Sequence, residues 1–377
     1  MFAEQRSRLA LLSVFGAFLV FASPSAAQTD PTLPSDCQRA VAFDPGEFRD
    51  STQIDNRFLP LVPGTQLVLE GRANRTGVSL AHTVTFTVTD LIKVIDGVPS
   101  RVMWDVDENE GEVVEAELAF FAQDNDGNVW NLGEYPEEYE DGFFLGAPNT
   151  WLTGLDDAEA GIHMLDGPDV GDSYLQGYAP QIDFLDCATV FDEGLRVCPP
   201  LRCYDDVLET HERSPLDPSG GVQTKSHAPG VGIVQVGALN DPEGETLVLV
   251  ERVHLDQTSM DAVRQEALKL DQRGFRVSEV YCQTEPIAPN PAADCSGPPI
   301  APGTGGSPSG GTPPTAVAPA PAVPVVPAKP GPKPGSKPKS CYAKHSRRSA
   351  RRSPRRHSRV FFKKMARKTC AERLSRR

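Results

Sequence analysis

The chain has 377 residues, is 39% hydrophobic and 23% charged, and carries a net charge of −14 with eight cysteines. That apolar content is enough to build a core, which excludes wholesale disorder. The acidic balance gives no support to nucleic-acid binding by the body of the chain.

The N-terminus points to export. Arg6 and Arg8 precede the apolar run "LALLSVFGAFLVFA", which ends in the small residues "SPSAAQ". Ser25 and Ala27 fit the −3 and −1 positions of a cleavage site before Gln28, so residues 1–27 are expected to be a signal peptide and the mature protein secreted or attached to the envelope. The run is short for a spanning helix, and no second long uncharged apolar segment follows. Cys37, Cys187, Cys198, Cys203, Cys282, Cys295, Cys341 and Cys370 all follow it. An even number in an exported chain predicts disulfides rather than zinc, whose Cys-x-x-Cys spacing is missing. Cys282–Cys295 and Cys341–Cys370 are the natural local pairs.

Composition divides the rest. Residues 28–285 are expected to form a β-rich globular domain, opening with an unstructured leader over 28–36. Residues 286–340 collapse into Pro, Gly, Ala and Ser and predict an extended linker. Residues 341–377 form a basic tail. Lys329–Arg377 holds 19 Lys/Arg and one acid, hence +18; the remainder keeps 18 Lys/Arg against 50 Asp/Glu, hence −32.

Within the body, "HTVTFTVT" alternates Val84, Phe86 and Val88 with threonines, the pattern of a half-buried antiparallel strand. "SRVMWDVD", "EVVEAELAFFAQD" and "VWNLGE" continue it across short Gly-containing turns as a meander. Residues 135–215 read as loop-rich. "GIVQVGAL" and "ETLVLVERVHL" are later strands. One helix is expected over "SMDAVRQEALKLDQRG", capped by Ser259 and stopped at Gly274, after which "FRVSEVYC" returns as a strand. The expected fold is mostly β, a curved antiparallel sheet or half-barrel with one late helix.

The stretch "AFFAQDNDGNVWNLGEY" carries the densest polar chemistry. With Gly127 at the sixth position of a calcium loop, Asp124 and Asp126 occupy the third and fifth. The first and twelfth positions then fall on Ala122 and Gly133, which cannot ligate, so the EF-hand frame fails. Asp-Gly is also a strong hairpin-turn signal, and a turn explains more of these residues than a site does. An irregular cation site, with calcium as the candidate, would use Asp124, Asp126, Asn128 and Glu134 beside the acidic run Glu134–Gly142. Glu115 and Glu117 share one strand face. They are expected to be surface glutamates if Leu118 and Phe120 face the core, or else the acid/base pair of an extracellular hydrolase using the acidic 115–141 region. His82 has the parity of Val84 and so points inward. No His-x-x-x-His, Gly-x-Ser-x-Gly or dinucleotide fingerprint is present, and no catalytic residue or cofactor is assigned.

"FLPLVPGTQLVLEG", "AQDNDGNVWNLGE" and "HAPGVGIVQV" occur in that order. Over roughly residues 55–255 the chain resembles a group of exported bacterial proteins with patterns such as P-G-T-x-W, A-Q-D-x-D-G-N-V-W-x-x-G-E and Y-A-P-G-V-G-x-V. The resemblance implies a secreted β-rich domain and no particular activity. Gln66 stands where Trp is usual and His227 where Tyr is usual, and the segment Cys187–Cys203 is an insert. The tail lies outside the resemblance. Its Arg347, Arg348, Arg351, Arg352, Arg355, Arg356, Lys363 and Lys364 are expected to bind an anionic envelope polymer or lipid surface rather than a specific nucleic acid. A short amphipathic helix can form from Arg359 onward. The small-molecule ligand of the body is unassigned.

Overall fold

The computed structural model describes residues 33–75, 77–288, 295 and 300–303. The expected signal peptide, most of the Pro-rich segment and the whole basic tail, including its eight named Arg and Lys residues, lie outside them, as do Cys341 and Cys370.

The body is built from antiparallel strands. The first five are β1 (Thr65–Arg75), β2 (Val78–Ile95), β3 (Val98–Asn109), β4 (Glu112–Gln123) and β5 (Val129–Glu140). After two short strands, β6 (Phe143–Gly146) and β7 (Trp151–Leu152), come β8 (Glu159–Met164), β9 (Ser173–Ala179), β10 (Phe184–Val197) and β11 (Tyr204–Arg213). β12 (Val222–Ala228), β13 (Gly232–Leu239) and β14 (Thr246–His254) complete the set, and α1 (Gln257–Val277) follows. Each strand pairs with its sequence neighbours from β1 to β5 and from β8 to β14, and two further pairings close the ring. β1 joins β14 in the register Thr65↔His254, and β5 joins β8 in the register Val129↔Met164. Twelve strands thus form a closed barrel.

Closure corrects the expected open sheet or half-barrel. A half-barrel leaves two rows of unpaired backbone groups, whereas the closed ring leaves none around its circumference. β5 makes it possible by pairing with β4 along one edge and with β8, β7 and β6 in succession along the other. Residues 135–215, expected to be loop-rich, supply part or all of seven strands.

Part of the largest apolar cluster lies on the outer face of β4 and β5. Leu118, Phe120 and Tyr135 pack there against Leu270, Phe275 and Tyr281, and the Tyr135 and Tyr281 rings are 4.6 Å apart. Buried polar groups fix the angle of the helix. Lys93 Nζ donates to Asp271 Oδ1 at 3.2 Å and to the Glu285 carbonyl at 2.7 Å. The Tyr281 hydroxyl donates to the same Asp271 oxygen at 2.7 Å. Glu137 accepts from the Tyr135 hydroxyl at 2.6 Å and from Arg273 Nε at 2.7 Å.

Two details of the helix differ from expectation. The cap is Asp256, whose Oδ1 accepts from Ser259 N at 2.8 Å. Gly274 does not end the helix, which continues to Val277. A Cβ on Gly274 would lie 2.5 Å from the Tyr281 ring, so this glycine serves close packing rather than capping. "FRVSEVYC" finishes the helix and leads to a 3-10 turn at Tyr281–Gln283, not to a strand.

Three disulfides occur among the described residues: Cys37–Cys187, Cys198–Cys203 and the expected Cys282–Cys295. The first spans 150 residues of sequence and ties the segment before the barrel to β10. Leu33, in the expected unstructured leader, is buried in the same cluster.

Candidate functional site

The loop "QDNDGNV" is a hairpin turn. Asp124 N donates to the Asn128 carbonyl at 3.0 Å, and Gly127 N to the Asp124 carbonyl at 3.2 Å. Gly127 has φ +94°, and a Cβ there would meet Asp166 Cγ at 2.9 Å, so two independent reasons require glycine. The Asp124 carboxylate organises the turn. Oδ1 accepts from the backbone of Asp126 and Asn128, and Oδ2 from Asn128 Nδ2 and Trp130 Nε1, at 2.8–3.0 Å. Asn128 Oδ1 accepts from Asp166 N.

Glu134 lies elsewhere, inside the barrel, accepting from Asn131 Nδ2 at 2.6 Å and Trp151 Nε1 at 3.0 Å. Asp124, Asp126, Asn128 and Glu134 are therefore not gathered into one ligand set. Among the described residues no three His, Cys, Asp or Glu side chains are grouped so as to hold a metal ion.

The chemistry sits in the lumen. In the β3–β4 hairpin Asp105 lies directly opposite Glu117, and Asp107 opposite Glu115. Across the β4–β5 pair Glu115 faces Glu138, and Ala119 faces Glu134. Residues opposite one another in an antiparallel pair share a face, with Cβ atoms about 5 Å apart, so this wall is a carboxylate grid. The structure corrects the expectation of surface glutamates. Leu118 and Phe120 do face a core, but it is the outer one under α1, which turns Glu115 and Glu117 into the lumen. The sequence showed acids on both sides of the Glu110-Gly111 turn but not their pairing, because Asp107 lies three residues before the turn and Glu115 four after it, and a register shift between Asp107 and Glu108 brings them opposite.

Further round the barrel, His82 on β2 bridges Asn109 and Glu245, with each nitrogen–oxygen distance 2.9 Å, and stands 3.8 Å from Asp107. Its inward parity was correct. On β11 and β12, Lys225 Nζ and Glu212 Oε2 are 2.6 Å apart. Gln223 Nε2 donates to Glu245 Oε2 at 2.7 Å. His227, where the resemblance expects Tyr, is buried beside Thr210, and Gln66, where it expects Trp, is buried against Thr87.

Burial and mutual repulsion set the protonation of this interior. Burial, with Glu245 nearby, pushes Asp107 up to about 7 against the opposing influence of His82. Burial, then Asp107, Glu134 and Glu138, push Glu115 up to about 8. Asp105 and Glu117 are driven well above the ordinary range by burial and by each other's neighbours. Burial, with Glu134 and Glu212 nearby, brings Asp186 on β10 to about 7. Glu212 is the exception: burial opposes its charge, but the Lys225 ammonium outweighs it and holds the carboxyl at about 2. Burial keeps His163 and His227 neutral, down to about 4 and 3.

A cavity of about 250 Å³ occupies the lumen. Its two walls differ. Leu67, Phe86, Ile233, Val236 and Leu247 form an apolar side, while Asp105, Asp107, Glu117, Glu134 and Lys225 form a charged one. Glu117 and Glu134 also line a second hollow of about 270 Å³ together with Asn149, Asp183 and Phe184. Asn149 and Asp183 are exposed, so this hollow is a mouth that brings solvent to the acidic wall.

No protein-family model and no curated protein matches the chain. Among solved structures it is similar to a "putative exported protein with YmcC-like fold" from Bacteroides fragilis, at 14% identity, over 52% of this chain and 99% of that one, with a TM-score of 0.28. It is also similar to a "putative lipoprotein" from Parabacteroides distasonis, at 16% identity, over 54% of this chain and 100% of that one, with a TM-score of 0.24.

Proposed function

We propose that this chain is an exported, envelope-associated binding protein whose barrel holds a small ligand in its lumen. The observation that carries this reading is the cavity of about 250 Å³ with one apolar and one charged wall. A folding core gains nothing from opposed, unpaired carboxylates, because each costs desolvation that only a partner can offset. Ligand pockets have this mixed character. The size suits a ligand of modest dimensions, since a cavity of about 150 Å³ already accepts benzene.

The test is ligand-observed NMR of the mature protein with n-hexanol, n-hexanoate and n-hexylamine. At least one should bind, and Ala119→Phe, which projects a ring into the cavity while the melting temperature is monitored, should remove that binding. If none of the three binds, the lumen is not a ligand site.

In the same proposal the Pro-rich segment is a spacer and the basic tail an electrostatic anchor. An exposed Lys or Arg near an anionic membrane contributes on the order of 1 kcal/mol. Engagement of a fraction of the +18 would thus hold the protein on an envelope at low salt, while the linker keeps the −32 body away from the same charge. Full-length protein and a version ending at Pro338 should partition differently onto phosphatidylglycerol vesicles, and molar salt should release the former. Equal partition, or binding that survives molar salt, sinks the anchor.

A second reading has a specific observation behind it. Carboxyls opposed in register, with one partner kept protonated, are the equipment of a general acid and base. Under that reading mature protein turns over chromogenic glycosides, and Glu117→Gln abolishes it. Absence of turnover on such a panel leaves the binding reading in place.

A further inference from the structure

We propose that the lumen selects a small organic cation with an apolar body, its ammonium placed among Asp105, Glu117 and Glu134 and its hydrocarbon along Leu67, Phe86 and Leu247. The proposal rests on the reading of the lumen as a ligand site and adds the chemistry of what fills it.

Three independent features point the same way. The first is the geometry of the walls: all six residues line one cavity, so a ligand lying against the apolar side presents its end to the acids. The second is unmet hydrogen-bonding capacity. Asp105 Oδ1 is sealed from solvent without a hydrogen-bond partner among the described residues. Buried polar atoms are normally satisfied, so an unpartnered oxygen on a residue that lines the cavity favours a ligand that brings a donor. The third is access, because Glu117 and Glu134 are shared between the cavity and the mouth, so a cation entering there meets the acids first.

The alternatives fit less well. A divalent metal needs oxygens converging on one point, whereas these carboxylates are spread over β3, β4 and β5 and no three described His, Cys, Asp or Glu side chains form such a group. An anion would meet the acidic wall, and the ammonium of Lys225 is already held by Glu212. A neutral apolar ligand would leave Asp105 unpaired.

Binding is coupled to protons. Asp107, Glu115 and Glu245 face the row formed by Asp105, Glu117 and Glu134 and raise the cost of charging it, and Asp186 faces Glu134. Lys225 offsets part of that cost, His82 is engaged with Asp107 and Glu245, and His163 is neutral. Without a ligand, burial favours the protonated form of Asp105, Glu117 and Glu134, and neighbouring carboxylates reinforce it for the first two. An entering ammonium supplies the positive charge instead, so a carboxyl proton leaves to solvent while the ligand keeps all of its own. Alkylammonium ions resemble lysine and remain protonated throughout this range.

Calorimetry on the full mature protein, in buffers of differing ionisation enthalpy, measures both affinity and proton release. Hexylamine should bind at least about tenfold tighter than hexanol, and hexanoate more weakly than either. Amine binding should release about one proton near pH 7 and tighten by about tenfold per pH unit between 6 and 8, as release of one proton requires. Glu117→Gln should lower amine affinity at least tenfold while leaving hexanol unchanged. Equal affinity for hexanol and hexylamine would overturn the cation while leaving the lumen a ligand site, and tighter hexanoate would do the same. Amine affinity that does not vary with pH, or a Glu117→Gln loss shared equally by amine and alcohol, would also overturn it. Failure of all three probes removes the proposal and the reading beneath it together.

Discussion

Replacing Lys225 by methionine will destabilise the body by about 1–3 kcal/mol at pH 7, less than the roughly 3–5 kcal/mol of a sealed ion pair because both side chains keep some exposure. Lys225 is the cation that Glu212 needs, at 2.6 Å, and it also offsets Asp186 and Glu245. Methionine preserves the length and apolar stem, so the loss isolates the charge. The double variant Lys225→Met/Glu212→Gln should recover most of the stability, because it removes the stranded carboxylate as well as its partner. Urea denaturation of the four members of this cycle measures the coupling. A single substitution costing less than about 1 kcal/mol would mean that the pair is solvated rather than enclosed in a lumen.

The second large effect is a fall in stability on the alkaline side of neutrality. Folded-state values near 7 for Asp107 and Asp186 and near 8 for Glu115 exceed the ordinary carboxyl value of about 4. Between those limits the folded protein holds protons that the unfolded chain has released. That contribution is complete below about pH 4 and is lost as pH rises through 7 and 8. His82, raised by its acidic partners against its own burial, adds stability that is lost in the same direction. His163 and His227 work oppositely: held neutral down to about 4 and 3, they favour folding increasingly as pH rises to about 6.5, then contribute no further change. Above pH 6.5 the falling contributions stand alone. Stability should drop by about 2–4 kcal/mol from pH 6.5 to 8.5, each group supplying at most about 1.4 kcal/mol per pH unit. Hexylamine at saturation should flatten the fall. A stability that is constant or rises across this window contradicts the protonated lumen.

Local chemistry was legible in the sequence where neighbours in the chain are neighbours in space. The threonine–valine alternation of β2, the meander through β5, the Asp-Gly turn and the helix before Gly274 all depend on contacts within a few residues. The barrel depends on Thr65 meeting His254 and Val129 meeting Met164, and no local pattern reports those pairings. Glu115 and Glu117 show how the same gap concealed the site. Their period of two was correctly assigned to one face, but which face is inside is decided by α1, which covers Phe120 from the other side. Once the outer face is the apolar one, polar alternation marks a lumen rather than a surface. Asp186, Glu212 and Lys225 were missed for a simpler reason: they are distant in sequence from the β3–β4 acids and meet them only when the ring closes.

Residue-resolved NMR titration of the side-chain carboxyls in ligand-free mature protein bears most directly on the enclosed acidic lumen. Asp107 and Glu115 should titrate near 7 and 8 and Glu212 near 2, and the raised group should move to lower pH when hexylamine is added. Titration of Asp105, Asp107, Glu115 and Glu117 all within the ordinary range of about 3–5, with or without the amine, would contradict it.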